Sequence, residues 1–251
     1  MSTKTESIKV AVVGATGRMG KLALDLIDAA QDLHLHAALD SKSELNDAIG
    51  ADVIFEVTRL EVSQKVLDFA IANGLKVVVG TSGWSAAKLA ELQKKLSANP
   101  KAGILIIPNF SIGSMLASSF ASQAAKFFDS IEIVEAHHAG KIDSPSGTAV
   151  RTAEMIADAR QGMTQPLIPG VGQTARGEVV AGVPIHSLRI AGVAAKQDVL
   201  FGGESELLTI SHETTSVRAY AHGILLSIRA AAKHTGLLVG LQSVVDLTTK
   251  Q

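Results

Sequence analysis

The sequence predicts an α/β protein of two domains, an N-terminal parallel sheet of the Rossmann type and a second α+β domain built on a mixed or antiparallel sheet. In the first hundred residues, short continuous apolar runs alternate with amphipathic helical patterns. Such runs are typical of parallel strands that helices cover on both faces. After Pro108 the alternation gives way to a helix, a strand and a helix, followed by three strand-like segments. That change of pattern predicts the second domain.

The elements of the first domain follow from the spacing of its apolar residues. Residues 8–13 form a β-branched run that ends at Gly14, and residues 17–30 repeat apolar side chains at helical spacing. The same criteria predict the remaining elements of this domain, which are strands at 35–39, 53–57, 75–79 and 104–107 and helices at 62–72 and 86–97. The alternation of strands and helices indicates βαβ units.

The elements of the second domain are predicted in the same way. They are helices at 112–128 and 148–159, a strand at 131–136, and strands at 183–193, 197–202 and 206–214 in near-hairpin succession. Residues 161–182 are rich in proline and glycine, so we expect a surface excursion with little regular structure. The tail is helical at 219–233 and apolar at 237–247.

Composition excludes several classes of function. A formal net charge of -1 disfavours nucleic acid as a partner, because that affinity comes from neutralising many phosphates. The absence of cysteine removes disulfides, thiolate nucleophiles and cysteine-bearing zinc sites. The N-terminus lacks the pattern of a secretory signal, and the uncharged stretch 102–125 is interrupted by Pro108 and too polar to cross a membrane. We therefore expect a cytoplasmic protein with no membrane partner.

A glycine-rich loop between the first strand and the first helix indicates a dinucleotide site. The loop reads Gly14-Ala15-Thr16-Gly17-Arg18-Met19-Gly20. Glycines at this junction let the backbone approach a pyrophosphate, which the helix N-terminus also attracts. Asp40, at the end of the second strand, is placed to accept hydrogen bonds from an adenosine ribose and favours NADH, whereas Lys42 and Arg18 leave NADPH open. The alternative is a turn whose glycines only allow close packing.

A dense polar cluster at residues 135–149 indicates the chemical site. It lies between a strand end and a helix start, with Ser146 suited to be the helix N-cap, so that the N–H groups of Gly147 and Thr148 could bind a carboxylate. Adjacent residues of a strand face opposite sides, so only one of His137 and His138 is expected to be a proton donor. Lys141 adds a positive charge. A zinc site and a solvated loop without function are the alternatives, and we expect no metal.

Four segments together resemble the dihydrodipicolinate reductase family: the glycine loop, Gly80-Thr81-Ser82-Gly83-Trp84, Pro108-Asn109-Phe110-Ser111-Ile112-Gly113 and residues 135–149. Their order and spacing match over nearly the whole chain, and the element from His137 to Ala149 is the most specific. Two places depart from the family pattern. Phe55-Glu56-Val57-Thr58 stands where the family often has Asp-Phe-Thr, and Thr81-Ser82 with Trp84 replaces Thr-Thr and Phe.

The resemblance implies an NAD(P)H-dependent reduction of 4-hydroxy-tetrahydrodipicolinate, a small cyclic dicarboxylate, in diaminopimelate and lysine biosynthesis. It implies that His137 and Lys141 are catalytic, and that the substrate contacts are His138, Ser146, Gly147 and Thr148. It adds to the cofactor site the residues Thr58, Gly80, Thr81, Ser82, Asn109 and Phe110. It also implies a homotetramer and a tail that returns to the first domain, which gives domains of 1–108 with 220–251 and of 109–219.

Two other functions stay open from the sequence. One is a different two-domain NAD(P)-dependent dehydrogenase of amino-acid metabolism, since only the substrate site would distinguish it. The other is a dinucleotide sensor in which the fold survives without the chemistry. A short-chain dehydrogenase is excluded, because that class needs a lysine four residues after a tyrosine, and Ile224 occupies that place after Tyr220.

Overall fold

The computed structural model describes residues 7–164 and 172–249. The chain divides into two compact units, the first formed by residues 1–112 and 217–251 and the second by residues 113–216. Part of the predicted surface excursion, at 165–171, lies outside the described residues. In the part of the chain that is described, no helix is both long and apolar enough to cross a bilayer.

The first unit is built on a six-stranded sheet. Its strands are β1 (Ile8–Val13), β2 (Leu33–Leu39), β3 (Val53–Glu56), β4 (Lys76–Val79), β5 (Gly103–Ile106) and β11 (Gly236–Val239). The order across the sheet is β11-β5-β4-β3-β1-β2, and every neighbouring pair is parallel. The predicted Rossmann-type parallel sheet is confirmed. The sixth strand comes from the tail, whose apolar run the sequence left unassigned.

The helices of the first unit cover this sheet. They are α1 (Arg18–Ala29), α2 (Leu60–Asn73), α3 (Ala86–Leu96), α6 (Ala221–Ala231) and α7 (Leu241–Thr249). The central strands are buried because helices lie on both sides; Val10, Ile54 and Val78 have no exposed surface. The order of the strands reverses between β1 and β3, and ligands of open α/β sheets bind at such a point, outside the carboxyl ends of the strands.

The second unit is built on a five-stranded mixed sheet. Its strands are β6 (Ser130–His137), β7 (Glu178–Val180), β8 (Val183–Arg189), β9 (Ala195–Gly203) and β10 (Glu206–Thr214), and its helices are α4 (Ile112–Ala124) and α5 (Gly147–Ala159). One face of the sheet packs against the two helices through Ile133, Val199 and Phe201. On the other face, Leu188 and Leu207 are 51% and 67% exposed. No helix of the unit covers this second face, which carries the exposed leucines beside charged side chains such as Glu132.

The strand order corrects the predicted near-hairpin succession. The order is β10-β9-β6-β8-β7, so β6 lies between β8 and β9 and pairs parallel with the first and antiparallel with the second. Of the three strands predicted in succession, β9 and β10 form a hairpin, whereas β8 forms its hairpin with the short strand β7. Local patterns could not place β6 there, because its pairing joins residues about 50 to 70 positions apart. The short strand β7 also lies inside the segment expected to have little regular structure.

The helix predicted at 112–128 ends earlier, at Ala124. Beyond it, the buried guanidinium of Arg160 donates hydrogen bonds to the carbonyl oxygens of Ala125 and Phe128. Phe128 packs against Phe201 with ring centroids 5.7 Å apart. These contacts satisfy carbonyls that the helix would otherwise leave unpaired, and they turn the chain into β6.

Candidate functional site

The glycine loop of the first unit is too tight for side chains. Gly14 has φ of +92°, in the region that favours glycine, and accepts a hydrogen bond from Gly17 N–H at 3.1 Å. A Cβ on Gly20 would lie 2.1 Å from the Gly14 carbonyl oxygen, and a Cβ on Gly14 would lie 2.6 Å from the Val57 carbonyl oxygen. The loop therefore brings bare backbone to the N-terminus of α1. That geometry fits the pyrophosphate of a dinucleotide.

The other residues predicted around this loop are accessible. Thr16, Gly17 and Arg18 are exposed at the start of α1, and Met19 is partly buried. Asp40 directly follows β2 and is exposed; its carboxylate accepts hydrogen bonds from Lys42 N–H at 2.8 Å and from the Ser43 hydroxyl at 3.2 Å. The Lys42 hydrogen bond, with that of Ser43, lowers the pKa of Asp40. Asp40 is thus an exposed anion at the carboxyl end of β2.

A buried carboxylate joins the ends of β3 and β4. Glu56 has no exposed surface, and its oxygens accept hydrogen bonds from Thr58 N–H at 2.7 Å, the Thr58 hydroxyl, the Thr81 hydroxyl at 2.9 Å and the Ser63 hydroxyl at 2.5 Å. Thr58 N–H also donates to Thr81 Oγ1 at 2.9 Å. The network fixes Thr58 and Thr81 relative to each other. In the sequence, Glu56 is visible only as a departure from a family pattern.

The remaining cofactor candidates follow β4 and β5. Phe110 is buried, lies 5.6 Å from Phe55 between ring centroids, and would be 2.8 Å from a Cβ on Gly80. It is a packing residue beneath Gly80. Ser82 is exposed, and Asn109 accepts a hydrogen bond from Ser111 N–H at 2.9 Å through its side-chain oxygen. The topology therefore brings all predicted cofactor residues to the carboxyl edge of one parallel sheet.

In the second unit, His137 is the last residue of β6 and pairs with Glu135. The His137 Nδ1 lies 2.6 Å from Glu135 Oε2, and the two side chains are 17% and 0% exposed. Residues two apart on a strand share a face, so the sequence spacing allows this contact. Because the carboxylate accepts the Nδ1 proton, Nε2 is the nitrogen left for proton transfer to a ligand.

Arg189, at the end of β8, holds the same carboxylate. Its two Nη atoms each lie 3.0 Å from a different Glu135 oxygen, which is a bidentate pair. Burial opposes ionisation of Glu135, but hydrogen bonds from Arg189, Ser187 and His137 outweigh it and lower the carboxyl pKa. Neither Glu135 nor Arg189 was assigned a role from the sequence. The spacing of Glu135 and His137 could have revealed the first; nothing local could have revealed the second.

Burial sets the protonation of His137. It lowers the pKa of the imidazole, and the positive charges of Lys141 and Arg189 add to the effect, while Glu135 opposes it. The imidazole is therefore neutral at pH 7 in this structure. Lys141 Nζ lies 2.7 Å from both carboxylate oxygens of Asp143, so it already has a partner. His138 is exposed, directly beyond the strand end.

The start of α5 completes this cluster. Ser146 is the predicted N-cap, confirmed by its hydroxyl accepting from Ala149 N–H at 3.3 Å, and its own N–H donates to Glu135 Oε1 at 3.2 Å. A Cβ on Gly147 would meet no atom within 4 Å, and Thr148 is partly exposed. Open space thus lies beside Gly147 in the first turn of α5, and Glu135 links the start of this helix to His137. Among the residues described, no three His, Cys, Asp or Glu side chains are grouped to hold a metal ion.

The chain matches known proteins along its whole length. Residues 8–110 match the family model for the N-terminus of dihydrodipicolinate reductase, and residues 113–245 match that for its C-terminus. It is 54% identical to the 4-hydroxy-tetrahydrodipicolinate reductase of Clavibacter sepedonicus, covering 95% of this chain and 86% of that protein. It is 44% identical to the enzyme of the same name from Streptomyces griseus, covering 96% and 98%.

Solved structures agree with these matches. The dipicolinate-bound dihydrodipicolinate reductase of Paenisporosarcina sp. TG-14 superposes with a TM-score of 0.80 at 32% identity, covering 94% of this chain and 99% of that one. GenD2 of gentamicin A biosynthesis, in complex with NAD, gives a TM-score of 0.61 at 13% identity, covering 99% and 93%. The second likeness concerns the fold alone.

Proposed function

Because this chain belongs to the dihydrodipicolinate reductase family along both of its units, we propose that it catalyses the reaction after which its relatives are named, the reduction of 4-hydroxy-tetrahydrodipicolinate. It is an NAD(P)H-dependent oxidoreductase. The ring loses water and gains a hydride and a proton, which gives tetrahydrodipicolinate for diaminopimelate and lysine biosynthesis. One observation carries the proposal: Glu135 binds both His137 and the N–H of Ser146 at the start of α5, and the positive charge of Lys141 acts on the same imidazole.

The first turn of α5 and Lys141 are proposed to hold the substrate carboxylates. A helix N-terminus attracts anions, and the open space at Gly147 leaves room for a carboxylate beside the backbone of Gly147 and Thr148. A second carboxylate would compete with Asp143 for the ammonium group of Lys141. Support for a dicarboxylate ligand comes from the Paenisporosarcina relative, whose structure contains dipicolinate. His138 and the Ser146 hydroxyl are proposed as further contacts.

His137 is proposed to supply the proton that accompanies each hydride. When bound, the reduced nicotinamide supplies the hydride, and the glycine loop, Asp40, Thr58 and Thr81 are proposed to hold that cofactor. Glu135 fixes Nδ1 of His137, so Nε2 is the nitrogen that donates. A positioned general acid contributes about 10²- to 10⁴-fold to the rate. Lys141 lies at the same site and is proposed to act on the ring as well as on a carboxylate.

The cofactor is a nicotinamide dinucleotide, and NADH is proposed as the preferred form. The exposed, ionised carboxylate of Asp40 accepts ribose hydroxyl groups but repels the 2′-phosphate of NADPH. Arg18 and Lys42 carry positive charges near the same edge, so NADPH is also expected to react. Michaelis constants measured with NADH and with NADPH test this preference for NADH.

A homotetramer is proposed, with the uncovered face of the five-stranded sheet as the contact. Leu188 and Leu207 lie on that face, and both are largely exposed. Apolar patches of this kind favour association. Sedimentation velocity gives the oligomeric state directly. The cytoplasmic location stays a prediction from the sequence.

The experiment that tests the function follows NADH absorbance with freshly made substrate, with NADPH in parallel. His137→Gln is expected to lower kcat by about 10²- to 10⁴-fold while NADH affinity is kept, because only the general acid is lost. The matched control is His138→Gln, which is expected to raise KM more than it lowers kcat. Unchanged turnover of His137→Gln would contradict the role of His137, and no oxidation of NADH by the wild type would contradict the function itself.

A further inference from the structure

Arg189 and Glu135 form a layer behind the proposed proton donor. Glu135 is completely buried, and the side chain of Arg189 is 19% exposed. The guanidinium also donates to the carbonyl oxygens of Asp143 at 2.6 Å and Leu188 at 2.7 Å. Four hydrogen bonds thus fix the Arg189 fork, two of them to Glu135. Glu135 in turn binds both His137 and the N–H of Ser146. One carboxylate therefore sets the position of the imidazole relative to the start of α5.

The charges around His137 come from two strands, β6 and β8, and from the loop that follows β6. Glu135, on its own strand, brings one negative charge, and Arg189, on β8, brings one positive charge that pairs with it. The loop beyond the strand brings Lys141 and Asp143, which pair with each other. On the other side, β9 places the uncharged Ala195 opposite His137. Within the described part of the chain, the one carboxylate bonded to the ring is thus already paired with a cation.

We propose that Arg189 is a positioning residue for proton transfer by His137: acting through Glu135, it holds the imidazole in place and cancels the charge that would otherwise keep the ring protonated without substrate. The two carboxylates of the substrate then supply the missing negative charge, so the ring gains its proton as the substrate binds. This inference rests on the proposed function. It adds a residue that does not itself touch the ring.

The charges predict opposite effects for the two partners. Arg189→Leu leaves Glu135 unpaired beside the ring, so His137 is expected to titrate higher by about one pH unit. Glu135→Gln leaves Arg189 unpaired, so His137 is expected to titrate lower by about one pH unit. Loss of packing alone has no reason to move the two variants in opposite directions.

The second unit contains a matched control. On the opposite face of β6, Glu132 accepts from Arg176 Nη2 at 2.6 Å and pairs with His186 Nε2 at 2.7 Å. This is the same set of three residue types, but Glu132 lies three positions from Glu135 and so faces the other way. Arg176→Leu removes a comparable ion pair from the same sheet. This control variant is expected to leave the pKa of His137 unchanged.

The test measures the titration of His137 by NMR in protein with ¹³C-labelled histidine, using His137→Gln to assign the signal, with and without dipicolinate. In wild type, dipicolinate is expected to shift the titration upward. The pH profile of kcat follows in the same variants. Because a general acid must be protonated, kcat falls as pH rises through the pKa of His137 in the complex. The pH at which kcat falls is expected to be higher in Arg189→Leu and lower in Glu135→Gln.

The result that overturns the inference is a shift in the same direction for both variants, or no shift beyond that of Arg176→Leu. If Arg189→Leu does not fold, Arg189→Lys serves as the second variant, because it keeps the positive charge but loses the bidentate hydrogen bonds of the guanidinium. Arg189→Lys must leave the pKa of His137 unchanged and lower kcat, while Glu135→Gln must still lower the pKa of His137. If these outcomes fail but His137→Gln is inactive, the role of Arg189 is refuted and the proposed function stands. An active His137→Gln refutes the proposed function instead.

Discussion

The substitution Gly147→Ala is expected to weaken substrate binding without lowering the stability of the folded protein. Gly147 is the first residue of α5, after the N-cap Ser146. A methyl group there would meet no atom within 4 Å, so the structure offers no clash that could destabilise the folded state. The same free space is where a substrate carboxylate is proposed to bind. The substitution therefore fills the ligand's space without disturbing the protein.

The structure gives the expected magnitudes. Alanine is favoured over glycine inside a helix by about 0.5 to 1 kcal/mol, so the free energy of unfolding is expected to stay equal or rise by up to that amount. For a chain of this length, about 1 kcal/mol raises Tm by roughly 2 to 4 °C. Displacing a carboxylate from charge-assisted hydrogen bonds costs about 1.5 to 3 kcal/mol. Affinity for the substrate is then expected to fall by about 10- to 150-fold.

Gly20→Ala is the matched control. A Cβ there would lie 2.1 Å from the Gly14 carbonyl oxygen and 2.8 Å from the Ala15 Cα, both backbone atoms. Accommodating it distorts the glycine loop, at a cost of about 1 to 3 kcal/mol, and NADH binding should be lost. Thermal unfolding, NADH fluorescence and dipicolinate calorimetry measure the three quantities. A stable Gly147→Ala that binds dipicolinate like wild type would refute the placement of the substrate at α5.

Three further predictions concern other parts of the molecule. Asp40→Ser removes the repulsion of a 2′-phosphate, so kcat/KM with NADPH relative to NADH is expected to rise about tenfold, as measured in parallel assays; an unchanged ratio would contradict the role of Asp40. Glu56→Leu removes the acceptor of the buried hydroxyl groups of Ser63 and Thr81 and is expected to cost about 3 kcal/mol in urea unfolding. Glu56→Gln can keep the oxygen that accepts from Thr58 and Thr81 and should cost about 1 kcal/mol. Leu207→Lys, at a site 67% exposed, should abolish the tetramer in sedimentation velocity and lower Tm only by the stabilisation that association provides.

Much of the first unit could be predicted from the sequence because its signals are local. Each parallel strand is a short apolar run, and each helix has an apolar face, so the predicted strand at 8–13 and helix at 17–30 differ little from β1 and α1. The second unit was harder. Its central strand β6 pairs with β8 and β9, and the register of such distant pairs depends on contacts that no local pattern records.

The residues of the candidate site also fall into those that the sequence could reveal and those that it could not. The spacing of the glycine loop, and the segment from His137 to Thr148, mark candidate residues because the chemistry needs those side chains close together in the chain. Arg189 could not be marked in this way, since 54 residues separate it from Glu135. Glu56 was equally hidden, because a carboxylate that accepts four hydrogen bonds from two strand ends and from helix α2 looks like any other acid in a sequence.

The sequence by itself determined most of the strands and helices, apart from β7 and β11, as well as the family and which side chains could carry the chemistry. These follow from periodicity, composition and motifs, all of which are properties of neighbouring residues. Only the tertiary structure decided which of these groups meet and how deeply they are buried: the pair of hydrogen bonds from Arg189 to Glu135, the lowered pKa of the His137 imidazole and the complete burial of the Glu56 side chain. The reason is physical, since burial and distance set the strength of electrostatic interactions, and folding alone brings distant charges into a common environment that excludes water.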